Sequence, residues 1–348
     1  VILKQNEITL KRPDDWHLHV RDNILLQLVL HYTSSTYGRA MIMPNLASPI
    51  VDIQSAINYR KKILSLVPNC HNFIPLMTCY LTESLDPNEI EKGFVSSIFH
   101  AVKLYPMNST IHSSYGVKNI RSINKILERI QQIGIPLLIH CEVTDVNVDI
   151  FDREARFIDQ VIEPIRKQFP KIKMVLEHIS TKEAVEYIES SDKRTCATIT
   201  PHHLMLNRND LLINGINPHF YCFPILKSRV HQEALRRVIS TGNSSFFLGT
   251  DSAPHFCNKK ENIHGLAGIF NAPVALSVYA SIFEELNALK YFEAFCSENG
   301  ARFYNLPVNK DKITLIRKQT IVEDAIGKFP NHIVPFLAGK TLDWSIKI

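Results

Sequence analysis

The chain has 348 residues, 45% of them apolar and 21% charged, the balance of a globular protein rather than a disordered or fibrous one, and the length allows one large domain or two ordinary ones. Its net charge of +5 is scattered in patches of two or three residues, such as Arg60 to Lys62, which argues against a nucleic-acid-binding face; no apolar run approaches the ~18–20 residues that span a bilayer. Seven cysteines with no CxxC pair, behind an N-terminus without a secretory pattern, are expected to be reduced thiols of a cytoplasmic protein.

Along the chain, short apolar or β-branched runs alternate with longer stretches of helical periodicity. Strands are predicted at 15–20, 39–45, 72–81, 101–105, 136–142, 173–179, 196–200 and 245–251. Helices are predicted at 24–34, 53–66, 87–94, 117–133, 152–168, 182–190, 230–241 and 272–286. Eight strand–helix units are the count of a (β/α)8 TIM barrel, the expected fold, as a single domain over 1–348. The strand runs are apolar throughout rather than alternating, as a parallel sheet covered by helices requires. A doubly wound open sheet would usually carry a Gly-rich first turn, and none is present. The tail, about 290–348, reads as a short helix and extended pieces, an appendage packed on the barrel.

In such a barrel the active site lies at the C-terminal ends of the strands. The first run ends "DDWHLHVRD". In a strand, His17 and His19 point to one face, where two imidazoles suit a metal ion better than a hydrophobic core. Other runs end in Asn45 ("MIMPN"), His140 ("LLIHCE"), His178 ("VLEHIS") and Asp251 ("LGTDSAPH", with His255 following), and Lys103 sits inside the apolar run "AVKLYP". Taken singly, each has a structural explanation: a rim histidine, a snorkelling lysine, a turn cap. Taken together at one end of a barrel, four histidines and a carboxylate are too many ligands for a single structural zinc, and they fit two metals. An ammonium among cations is disfavoured; Lys103 makes sense as a ligand only after carbon dioxide adds to its neutral amine, giving an anionic carbamate that can bridge two ions.

This set resembles that of the amidohydrolase superfamily. The surrounding words "RPDDWHLHVRD", "MPNLASPI", "PLMTCYLTESLDPNE", "KLYPMNST", "FDREARFID", "ITPHHLMLNR" and "GTDSAPH…FNAP" closely resemble the shorter, homodimeric bacterial type of dihydroorotase, from about Leu10 to the end. The resemblance implies two Zn2+ per subunit. His17, His19 and Asp251 would hold the more buried ion, His140 and His178 the more exposed one, with carboxylated Lys103 and a hydroxide bridging them. Cobalt or manganese could occupy the same geometry. Arg21, Asn45 and His255 would bind a substrate carboxylate, and backbone groups near Phe223 and Ala267 the ring edge. "MNSTIHSS" matches a loop that closes over the substrate; the usual pattern has adjacent threonines, whereas here Thr110 is followed by Ile111. His202 and His203 are read as supporting residues, because six other positions complete the metal set.

The implied reaction is reversible cyclisation of N-carbamoyl-L-aspartate to L-dihydroorotate, a small anionic pair, in a homodimeric enzyme, with Asp251 as acid and base. A hydantoinase or allantoinase would share the metals but not need the anion clamp of Arg21, Asn45 and His255. A metal-free scaffold would be expected to lack ligands, and all six are present.

Overall fold

The computed structural model describes residues 6–213 and 215–347. Eight parallel strands form the barrel in strict sequence order: β2 (Asp14–Leu18), β3 (Arg39–Ile42), β4 (Ile74–Tyr80), β5 (Phe99–Leu104), β6 (Leu137–His140), β7 (Met174–Glu177), β8 (Thr195–Ile199) and β9 (Phe246–Leu248). Nearly every residue in them is buried, because their inner faces fill the barrel and their outer faces meet helices. The barrel closes between β2 and β9 through a parallel bridge from Leu18 to Ser252, with His19 N donating to Ser252 O (2.9 Å) and Asp251 N to His17 O (2.8 Å). Gly249 permits this seam: a Cβ there would lie 2.6 Å from Thr198 Cβ and 3.1 Å from His17 Cβ.

Local chemistry sets the helix limits. Asp22 accepts from Asn23 N at the start of Asn23–Thr36, and Asp52 forms a reciprocal cap with Ser55 on Ile53–Leu64. Gly134 ends Asn124–Ile133 in the left-handed conformation. The segment predicted as one helix over 117–133 instead begins as a 3-10 turn at Ile120–Ile123, and residues 106–119 form a loop over the barrel mouth. The predicted helix over 152–168 contains a π-helical stretch, Ile158–Ile162.

The floor of the barrel is aromatic. Trp16 stacks on Tyr304 (centroids 4.5 Å apart) and meets Phe247 edge-on, and the Asn299–Phe303 helix covers it from below. The appendage is not purely C-terminal. An N-terminal strand, β1 (Glu7–Lys11), pairs antiparallel with β10 (Lys312–Ile321), which pairs with β13 (Thr341–Ile346). A hairpin of β11 (Ile326–Lys328) and β12 (Asn331–Ile333) lies between β10 and β13 in the chain. Trp344 locks this sheet to the barrel's outer helices, its Nε1 donating to Glu284 Oε2 at 3.1 Å.

Candidate active site

The seam that closes the barrel also assembles the first ligand-type cluster. Because His17 and His19 leave β2 on one face, both Nε2 atoms reach Asp251 Oδ1, at 3.5 and 3.1 Å. Asp15, two residues earlier, accepts from Thr250 N (2.9 Å), Thr250 Oγ1 and His17 N (3.2 Å), so one buried carboxylate fixes both sides of the seam. Arg21, His178 and Asp251 all adopt left-handed backbone (φ 57°, 43° and 45°), a strained state that clusters at functional positions.

The second cluster faces the first. His140 Nδ1 and His178 Nε2 lie 3.3 Å apart, and the His17 and His178 rings are 4.8 Å apart. Lys103 is wholly buried, its Nζ without a hydrogen-bond partner and 5.0 Å from the centre of the Tyr105 ring. Burial pulls the Lys103 ammonium down to about 8, against the pull of Glu177 and Asp251, and a lowered value makes the neutral amine accessible. Burial likewise pushes His17, His19 and His178 well below the ordinary imidazole value. It raises Asp251 to about 7 and Glu177 to about 8.

The anion-binding candidates stand beside these clusters. Arg21 Nη2 lies 3.1 Å from His255 Nε2, and Arg21 Nε donates to Pro254 O; Nη1 is buried without a partner. His255 Nε2 is also 3.1 Å from Ala267 O. Asn45 Nδ2 donates to Ile111 O (2.9 Å), while its Oδ1 is unpartnered. Arg21, Asn45, Thr110, Ile111, Phe223 and Ala267 line one cavity with His17, His19, His140, His178 and Asp251. Its free volume is about 20 Å3, room for roughly one water, because the 106–119 loop is folded inward. Gly268 gives the opposite wall its close approach: with φ +144°, a Cβ there would sit 2.6 Å from Ala253 O.

An amidohydrolase family model matches residues 15–318. The chain belongs to the amidohydrolase family. Within it, the chain groups with the dihydroorotases. A Campylobacter jejuni dihydroorotase is 33% identical with a TM-score of 0.91, covering 100% of this chain and 99% of its own. A Saccharomyces cerevisiae dihydroorotase, solved in complex with 5-fluoroorotic acid, is 30% identical with a TM-score of 0.90, covering 99% of each. An Arthrobacter aurescens L-hydantoinase shares the fold (TM-score 0.81, 98% of this chain and 83% of its own) at 14% identity.

The donor set of this amidohydrolase fits divalent cations. Glu177 Oε2 lies 2.9 Å from His17 Nδ1, and Glu142 Oε2 lies 2.9 Å from His140 Nε2. Glu142 can accept the outer ring N–H of His140, leaving the inner nitrogen's lone pair to a metal, whereas Glu177 stands beside the outer nitrogen of His17 without an aligned hydrogen bond to it. Neutral imidazoles are also the form a metal requires. Neither glutamate was singled out from sequence, nor were Tyr105, Asp15 and Thr250. The signal was present in "VLEHIS" and "LLIHCE": a glutamate within two residues of a histidine at the end of an apolar strand. Strict alternation would send Glu177 and His178 to opposite faces, but the left-handed turn at His178 brings both inward. His202 and His203 lie behind the wall. His203 bridges Thr200 Oγ1 (2.8 Å) and Pro224 O (2.9 Å), and His202 Nδ1 meets Asn271 Nδ2 at 3.2 Å.

Proposed function

We propose that this cavity catalyses the reversible cyclisation of N-carbamoyl-L-aspartate to L-dihydroorotate, with two zinc ions per subunit. His17, His19 and Asp251 would hold one ion, His140 and His178 the other, and carboxylated Lys103 would bridge them. When bound, such ions acidify a water and polarise the reacting carbonyl. The other steps belong to the chain. Asp251 takes the attacking water's proton and delivers it to the leaving ring nitrogen; in the synthetic direction it removes a proton from the carbamoyl nitrogen, which attacks the side-chain carboxyl carbon, and as the C–N bond forms a carboxyl C–O bond breaks, with the proton on Asp251 passing to the departing oxygen, which leaves as hydroxide. Arg21 offers its unpartnered Nη1, and Asn45 and His255 add donors, to the carboxylate that does not react, which fixes the approach of the other end.

Backbone groups at Phe223 and Ala267 would hold the ring edge. The loop carrying Thr110 and Ile111 would move outward to admit substrate, since the closed cavity has room for little more than a water. The observation that carries the reading is the unpaired Arg21 Nη1 beside two facing groups of ligand-type side chains, in a chain that matches dihydroorotases over its whole length. A neutral hydantoin ring would leave that guanidinium unused. Among the described residues no helix is long and apolar enough to cross a membrane, and a homodimeric cytoplasmic enzyme is the form the resemblance supports.

The test is dihydroorotate hydrolysis by purified protein, before and after metal stripping and after restoration with zinc and bicarbonate. Loss on stripping, and recovery that needs both additions, is the expected result. No turnover by the fully metallated protein overturns the substrate assignment.

A further inference from the structure

A separate group of ligand-type side chains lies outside the cavity. His219, on the short turn Pro218–Phe220, meets Cys257 and Glu261 from the one-turn helix Cys257–Lys260 and its end. The spacing of four residues puts the thiol and the carboxylate on one helical face. One donor atom from each of the three residues falls within 4.8 Å of the other two, and His219 Nε2 lies 2.7 Å from Glu261 Oε1. His219 Nδ1 is buried and has no hydrogen-bond partner. Cys257 is buried, whereas Glu261 is half exposed, so the group is open to solvent on one side.

The geometry points to a further divalent-cation site, of the zinc type, formed by His219, Cys257 and Glu261. The donor set is a borderline-soft one, nitrogen, sulfur and oxygen, which is the set zinc takes, and three protein donors leave a fourth position for water. Charge closes as well: a thiolate and a carboxylate neutralise a dication, and the proton displaced from the Cys257 thiol leaves to solvent. The neighbouring ammonium of Lys260 is tied to the carbonyls of Tyr221, Leu266 and Gly268 and does not enter the group. His332 on β12 lies within electrostatic range of Glu261, and its Nδ1 is also buried without a partner.

A second cluster, His202, His203 and Cys222, does not qualify. Both ring nitrogens of His203 are already held, by Thr200 and Pro224. In the outer group the corresponding bond joins His219 to Glu261, and both of these become ligands when a cation replaces the shared proton. The position gives the ion a consequence. Cys257 follows His255 by two residues, and Lys260 holds the 266–268 backbone whose Ala267 lines the cavity. A cation here staples the outer face of the segment whose inner face forms the cavity wall.

Cobalt(II) titration of the purified protein tests this, because thiolate coordination produces a near-ultraviolet charge-transfer band that imidazole and carboxylate ligands do not. The wild type is expected to develop the band with one equivalent of cobalt beyond those the cavity takes up. C257S should lose the band while keeping the wild-type unfolding temperature in metal-free buffer, and E261Q should weaken this equivalent at least tenfold. Absence of the band in the wild type at saturating cobalt, or a band undiminished in C257S, overturns the site.

Discussion

Replacing Arg21 by lysine keeps the charge and removes the fork. Arg21 uses Nε on Pro254 O and shares Nη2 with His255, which leaves Nη1 as the one buried donor without a partner. A lysine at this position reaches the cavity with a single ammonium and cannot serve the wall and the substrate carboxylate at once. One charge-assisted hydrogen bond is lost, worth about 1.5–3 kcal/mol, so kcat/KM for dihydroorotate should fall roughly 10- to 150-fold. The loss should fall on KM and kcat together, because a substrate held at one end only also approaches the reacting groups less often in the right orientation. Steady-state kinetics in both directions, with metal content measured alongside, give the answer. A kcat/KM within twofold of wild type, at unchanged metal content, would refute the assignment of Arg21 as the carboxylate clamp.

Glu142→Gln weakens the hold on the outer ring proton of His140, and metal affinity measured against a chromophoric chelator should drop about tenfold or more; unchanged affinity would mean that Glu142 does not orient its histidine. Ile111→Thr restores the hydroxyl that the loop lacks, and one added hydrogen bond of about 1 kcal/mol predicts a KM roughly fivefold lower; a KM equal to wild type would mean the loop hydroxyl at this position does not touch substrate. Arg39→Met removes the cation from a buried pair in which Arg39 Nε donates to Asp14 Oδ1 at 3.0 Å. Breaking such a pair costs about 3–5 kcal/mol, which urea unfolding should register while the cavity residues stay in place.

The barrel was legible because its strands are short, apolar and regularly spaced, and the ligand-type residues because they end those strands. The N-terminal strand was not. "EITLK" has only five residues, and its partner, "KITLI", lies some three hundred residues away; nothing local distinguishes it from a polar lead-in. The mouth loop was read partly as helix because 117–133 is continuous in periodicity, yet Val117 N donates to Tyr105 O at 2.8 Å and ties its start back to β5. Glu177 escaped for a related reason. Period-two reasoning holds inside a strand and fails just past its end, where His178 and Asp251 stand.

That placement explains how a strained site persists. Left-handed backbone at a non-glycine residue costs about 1–3 kcal/mol, and Arg21, His178 and Asp251 each carry it. Each also has a buried polar anchor beside it. The Tyr59 hydroxyl donates to Arg21 O. Asp251 N donates across the seam to His17 O, and its neighbour Thr250 is clamped by Asp15. His178 N donates to Thr198 Oγ1 at 2.7 Å, and two residues on, the Glu154 carboxylate accepts from the amides and hydroxyls of Ser180 and Thr181. Glu154 belongs to the "FDREARFID" stretch, whose place in the resemblance had no evident chemistry; its carboxylate holds the turn that points His178 inward. Apart from His17, the anchoring residues Tyr59, Asp15, Thr250, Thr198 and Glu154 are not among those that line the cavity. Their removal should therefore loosen the angle at which a ligand-type side chain enters the cavity before it loosens the barrel, whose apolar strands and aromatic floor do not depend on them.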